Sequence, residues 1–216
     1  MAADGWDVNV VVRCPGATQR SVRHLGSASP RKCWGRTLPK GSGLGIAAHY
    51  SFVSYVAAVV EVAVDAKGEI TIPCVDIAID CGATVNPDRV RAQMQGACVM
   101  GVSAATTGAI TFKGGRAQQD NFHQYEVTRM PGAPREIRVH IVGGDYSKPM
   151  GGVGEPGVPP VPPALCNAIF AATGKRIRQL PIGDQLKSWA PISIRGNPGG
   201  DKHSTSRRRR VARSRQ

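Results

Sequence analysis

The chain has 216 residues, 41% hydrophobic and 20% charged, with only 5% aromatic but 26 Gly and 16 Pro; this composition is globular and turn-rich, and it excludes a bundle of long helices. The net charge of +13 resides in the ends: 7 Lys/Arg face 2 Asp/Glu in residues 1–50 and 8 face 1 in residues 191–216, against 13 and 12 in between. The central body is therefore nearly neutral, and any polyanion binding would belong to the basic ends.

Residues 1–43 show little periodicity and many Arg, Ser, Gly and Pro residues, and read as a poorly ordered basic segment with one isolated strand over residues 8–12. Residues 1–6 do not form the basic start of a secretory signal. Cys14, His24 and Cys33 are too irregularly spaced for a zinc site. The six cysteines include no C-x-x-C pair, so they are read as reduced, mostly buried thiols. The most apolar window, residues 55–64, contains Glu61 and falls far short of the roughly 20 residues that span a bilayer. No transmembrane segment is expected, and the chain as written reads as cytoplasmic.

Residues 44–190 form the expected structured body. Strand signals occupy residues 45–51 and 55–64, the turn Asp65-Ala66-Lys67-Gly68 follows, and residues 69–80 return as a β-branched run. This pattern predicts an antiparallel hairpin or meander. Asn86 is a natural N-cap and Pro87 suits a first helical position, so a helix is expected over residues 87–106, with Val90, Met94, Ala97 and Gly101 on one side. Its small residues Gly96, Ala97, Gly101, Ala104 and Ala105 would let another backbone come close. A short strand at 109–112, a turn at Gly114-Gly115 and a strand at 136–142 come next. A helix over 164–173, starting within the preceding Pro run and closed by Gly174, precedes an extended segment at 176–180. The body is thus read as α+β, a mixed sheet with packed helices. Residues 191–216, with the Arg207–Arg210 run, read as a disordered tail.

The stretch Gly151-Gly152-Val153-Gly154-Glu155-Pro156 places one carboxylate among residues with almost no side chain. Glycines let a backbone approach a ligand closely, and Pro156 stiffens the chain directly after the acid. A lone Glu on such a turn suits a general base, although composition alone describes only a loop with an exposed acid.

The full string GVGEPGVPPVPPALCNAIFAATGKRIRQLPI (residues 152–182) resembles the closing segment of the xanthine dehydrogenase and aldehyde oxidase family, in particular the isoquinoline 1-oxidoreductase beta type. IDCGATVNPDRVRAQMQGACVMGVSAATTGAIT (79–111) and QQDNFHQYEVTRMPGAPREIRVHIV (118–142) are similar to the same subunit, and all three stretches follow the family's order. The resemblance covers residues 44–189. It implies the C-terminal part of a molybdopterin-binding large subunit, whose complete enzyme hydroxylates an N-heterocycle or an aldehyde with oxygen derived from water. Gly154 and Glu155 match the family's Gly-Glu pair, in which the Glu is the catalytic base. Gln93 matches a glutamine beside the molybdopterin; an exposed polar helix face is the competing reading. The implied cofactor is molybdenum-molybdopterin cytosine dinucleotide, with two [2Fe–2S] clusters on a small partner subunit that accepts the electrons.

His49, His123, Tyr125 and Arg129 read as structural, and Asp120-Asn121 as local turn chemistry. The family's large subunit is several times longer, so the expectation is a fragment that is inactive alone and needs the remaining part of the subunit. The unmatched ends suggest truncation or a frameshift. The complete protein, by resemblance, could be periplasmic. An inert scaffold binding nucleic acid through its Arg-rich ends is the alternative from a different functional class.

Overall fold

The computed structural model describes residues 37–142, 146–147 and 149–187. The expected strand at 8–12, the Cys14/His24/Cys33 set and the 191–216 tail lie outside them. Three long strands open the described body: β1 (Ser42–Ser51), β2 (Ser54–Val64) and β3 (Ile70–Asp80). They pair antiparallel in sequence order, and β6 (Glu136–Ile141) joins the free edge of β3 in parallel. Helix α1 (Pro87–Thr106) lies between β3 and β6 in sequence, as a parallel connection requires. Helix α2 (Val161–Thr173) follows the Pro-rich loop. The architecture is mixed α+β, as the sequence pattern indicates.

Each element has a local cause. The β2–β3 turn closes because Asp65 Oδ1 accepts from the Lys67 and Glu69 amides, both at 2.8 Å, and Gly68 adopts φ +82°. Asn86 caps α1 by accepting from the Asp88 and Arg89 amides at 3.1 and 3.2 Å, with Pro87 at the first helical turn. Gly174 ends α2 at φ +74° and donates to the Phe170 carbonyl at 2.7 Å.

The main core lies between one sheet face and the two helices. Ile77 and Ile79 of β3 are fully buried, together with Met94 and Val102 of α1 and Leu165 and Ile169 of α2. Complete burial of such side chains contributes roughly 1.5–3 kcal/mol each. The opposite sheet face carries a smaller cluster of Ile46, Ala57, Val59 and Ala78. On that face Asp76, 3% exposed, pairs with Arg138 Nη2 at 2.9 Å and His140 Nε2 at 3.0 Å. These contacts join β3 to the parallel edge strand.

Two sequence expectations are revised. β1 begins at Ser42 rather than residue 45, because its glycines serve contact with α2: a Cβ at Gly43 would stand 2.4 Å from the Ala168 carbonyl oxygen, and one at Gly45 2.1 Å from that of Ala164. The expected strand at 109–112 shifts to β4 (Phe112–Lys113), paired with β5 (Arg116–Ala117) around Gly114-Gly115. There Thr111 satisfies its backbone through Gln118 and the Gln119 side chain. Residues 176–180 join no sheet among the described residues. No helix among the described residues is long and apolar enough to cross a membrane.

Candidate functional site

The loop that carries Glu155 runs along α1, and missing side chains permit the approach. A Cβ at Gly157 would lie 2.7 Å from Ala97 Cβ and 3.0 Å from Met94 Sδ, and one at Gly101 would lie 2.7 Å from Val161 Cβ. Two of the small helix residues singled out in the sequence, Ala97 and Gly101, therefore receive the neighbouring backbone. Gly96 instead has open space above it. The Glu155 carbonyl accepts from the Val158 amide at 3.0 Å, which closes a tight turn over the buried Pro156 and Gly157.

At the outer end of this track the three expected site residues come together. A Cβ on Gly154 would lie 3.9 Å from Gln93 Nε2, so the helix amide stands directly beside the Gly154-Glu155 peptide. Gln93, Gly154 and Glu155 are all exposed. Neither side chain, Gln93 or Glu155, hydrogen-bonds or ion-pairs among the described residues. One carboxylate, one amide with two donors and an acceptor, and bare glycine backbone thus share an open surface. Among the described residues no group of three His, Cys, Asp or Glu could hold a metal ion. Such a donor set suits a ligand held by hydrogen bonds.

The remaining candidates have structural surroundings. His49 lies in β1, half-buried. His123 sits in an exposed single turn capped by Asn121, with Asp120 donating its amide to Gln124 Oε1 at 2.7 Å. The Tyr125 hydroxyl crowds Gly108, where a Cβ would stand 2.7 Å away. Arg129 precedes a second single turn. Cys74, Cys81 and Cys98 are buried free thiols, and Cys166 is half-buried. Desolvation, reinforced by the neighbouring Asp76 carboxylate, pushes the Cys74 thiol up to about 11. Burial pushes Cys98 up to about 12. Neither is a thiolate at neutral pH, so neither is a nucleophile or ligand in waiting.

Sequence reasoning missed the residues that secure the loop from behind. Ser54 Oγ donates to the Gly152 carbonyl at 2.7 Å, and the Gly152 amide donates to the Phe52 carbonyl at 2.8 Å. A serine between two strands carries no signal for such a partner; only the paired glycines at 151 and 152 hinted at a close approach.

Comparison with known proteins identifies the family. The profile of the molybdopterin cofactor-binding domain matches residues 28–134. The chain is 34% identical to isoquinoline 1-oxidoreductase subunit beta of Brevundimonas diminuta over 154 residues, 70% of this chain and 19% of that one. It is also 34% identical to a membrane-bound aldehyde dehydrogenase of Gluconacetobacter polyoxogenes over 155 residues, 69% and 20% of the two chains. In fold it matches quinoline 2-oxidoreductase of Pseudomonas putida 86 with a TM-score of 0.55 at 18% identity, covering 62% of this chain and 18% of that one. The chain thus spans about a fifth of the length of the curated relatives it matches. A 34% match over 154 residues, a shared fold and a cofactor-binding profile lead to one assignment: the chain belongs to the molybdopterin-binding subunits of the xanthine dehydrogenase family.

Proposed function

We propose that this chain supplies one wall of the active site of a molybdenum hydroxylase, with Glu155 as general base and with Gln93 and Gly154 against the cofactor. The observation that carries the reading is the convergence of these residues, from a helix and from a loop remote in sequence, at one exposed spot. Bound there, a molybdenum cofactor in cytosine dinucleotide form would provide the oxygen nucleophile and the two-electron acceptor. The Gln93 amide offers two N–H donors and one acceptor oxygen to a pterin or phosphate edge. Gly154 leaves the space beside it free for that edge. Glu155 takes one proton at a carboxylate oxygen, and the buried Pro156 and Gly157 hold the turn on which it stands. A base so placed contributes roughly 10²–10⁴-fold.

The substrate class, an N-heterocycle or an aldehyde, follows the names of the similar proteins. Because the chain spans about a fifth of their length, the remaining part of the large subunit would complete the cofactor and substrate pockets. This chain alone is expected to be inactive. The electrons would leave through a small subunit with two [2Fe–2S] clusters; the designation of one relative as a subunit beta supports a multi-subunit assembly. The alternative of a nucleic-acid-binding scaffold depends on Arg-rich ends outside the described residues, and no feature of the described body favours it.

Co-expression with the missing portion and the small subunit tests the proposal. Substrate oxidation should be restored, and Gln93→Ala should lower the pterin bound per chain. Full pterin content in that variant would remove Gln93 from the cofactor contact.

A further inference from the structure

The Glu155 loop is tied to the sheet just upstream of the acid, at three points. The Gly151 amide donates to the Cys81 carbonyl at 2.9 Å, immediately past the end of β3, and the Gly152 amide donates to the Phe52 carbonyl at 2.8 Å. The Gly152 carbonyl in turn accepts from Ser54 Oγ at 2.7 Å. Ser54 is completely buried, so its hydroxyl has exchanged water for this single long-range partner. The packing leaves no slack: a Cβ at Gly151 would lie 2.2 Å from Ser54 Oγ and 2.8 Å from the Val53 carbonyl oxygen.

The other side of the clamp is unusual in its backbone. Phe52 and Val53 form the two-residue turn between β1 and β2, with φ of 51° and 63°. Turns of this kind favour Asn-Gly or Gly-Gly, and a β-branched residue disfavours the left-handed region strongly. The turn nevertheless brings the Phe52 carbonyl and the Ser54 hydroxyl onto the two polar groups of the same residue, Gly152. Glu155, three residues further on, has no partner among the described residues to fix its side chain. Its location therefore depends on how firmly its backbone is held.

We propose that the β1–β2 hairpin tip, through Ser54, is the positioning element of the Glu155 turn. It holds the entry leg at Gly151-Gly152, while the contact of Gly157 with Ala97 and Met94 holds the exit leg. Ser54 acts through Gly152 and does not touch the reacting atoms. The inference rests on reading Glu155 as the base, but the clamp itself can be measured separately.

The test is amide hydrogen exchange at Gly152 in the full chain. Ser54→Ala should speed that exchange about tenfold, since the Gly152 carbonyl loses its donor and the leg can lift from the Phe52 carbonyl. Thr173→Ala is the control: it removes another buried hydroxyl bond, to the Ile169 carbonyl at 2.7 Å, and should leave Gly152 unchanged. In the reconstituted enzyme Ser54→Ala should lower kcat with little change in KM, and Thr173→Ala should alter neither. Should Ser54→Ala fail to fold, Ser54→Cys keeps the shape with a weaker donor and should accelerate the same amide. Wild-type exchange at Gly152 in the Ser54 variants, or equal acceleration by Thr173→Ala, would overturn the clamp. Normal turnover in Glu155→Gln would instead overturn the base assignment on which the clamp's purpose rests, leaving the exchange result to report the clamp alone.

Discussion

At the residue scale, the described body sets strained or buried groups beside an open, unpaired carboxylate. Val53 stands at φ 63° with half its surface exposed, so Val53→Gly should remove the left-handed penalty while giving up little packing. A gain of about 1 kcal/mol is expected by thermal denaturation; an unchanged or lower midpoint would show that the turn carries no strain. Asp76 is the opposite case, with Arg138 and His140 both within 3.0 Å. Asp76→Ala should cost about 3–5 kcal/mol in denaturant unfolding, because it leaves the largely buried Arg138 with only the exposed Glu136 carboxylate at 4.0 Å. The buried thiols set a pH dependence. Their folded-state values near 11 and 12 exceed the ordinary thiol value of 9.0, so above pH 9 the unfolded chain releases protons first. Their contribution should therefore be constant below pH 8 and decline from pH 9 to about 11 for Cys74 and about 12 for Cys98. Cys98→Ala should make that decline shallower, as read from unfolding midpoints across the range.

At the element scale, glycines divide into those that serve contact and those that do not. Gly45→Ala should destabilise by at least about 3 kcal/mol, since its Cβ would strike the α2 backbone at 2.1 Å. Gly96→Ala on the open face of α1 should stabilise by up to about 1 kcal/mol; comparing the two unfolding midpoints checks both. The same glycines explain what the sequence discloses. Helix α1 is legible to its ends because Asn86, Pro87 and the spacing of Val90, Met94, Ala97 and Gly101 are all local signals. The start of β1 is not, because Gly43 looks like a loop residue until α2 is seen lying on it. The parallel addition of β6 is hidden for a similar reason, since pairing partners are not written in periodicity. In the candidate site, Glu155 and Gln93 stand out through a family string, whereas Ser54 does not, its partner being 98 residues away.

At the scale of the whole molecule, the chain presents exposed apolar side chains that the proposed assembly would cover. Phe112, Phe122 and Met130 are 72%, 95% and 84% exposed, all within the stretch between α1 and β6. Adding the remaining part of the large subunit should slow amide exchange there, and unchanged exchange would place the interface elsewhere. The proposed function depends above all on the role of Glu155 in the assembled enzyme. The most direct measurement is kcat for Glu155→Gln at matched molybdenum content. A loss of about 10²-fold or more with KM little changed is predicted, and turnover equal to that of the unsubstituted enzyme would contradict it.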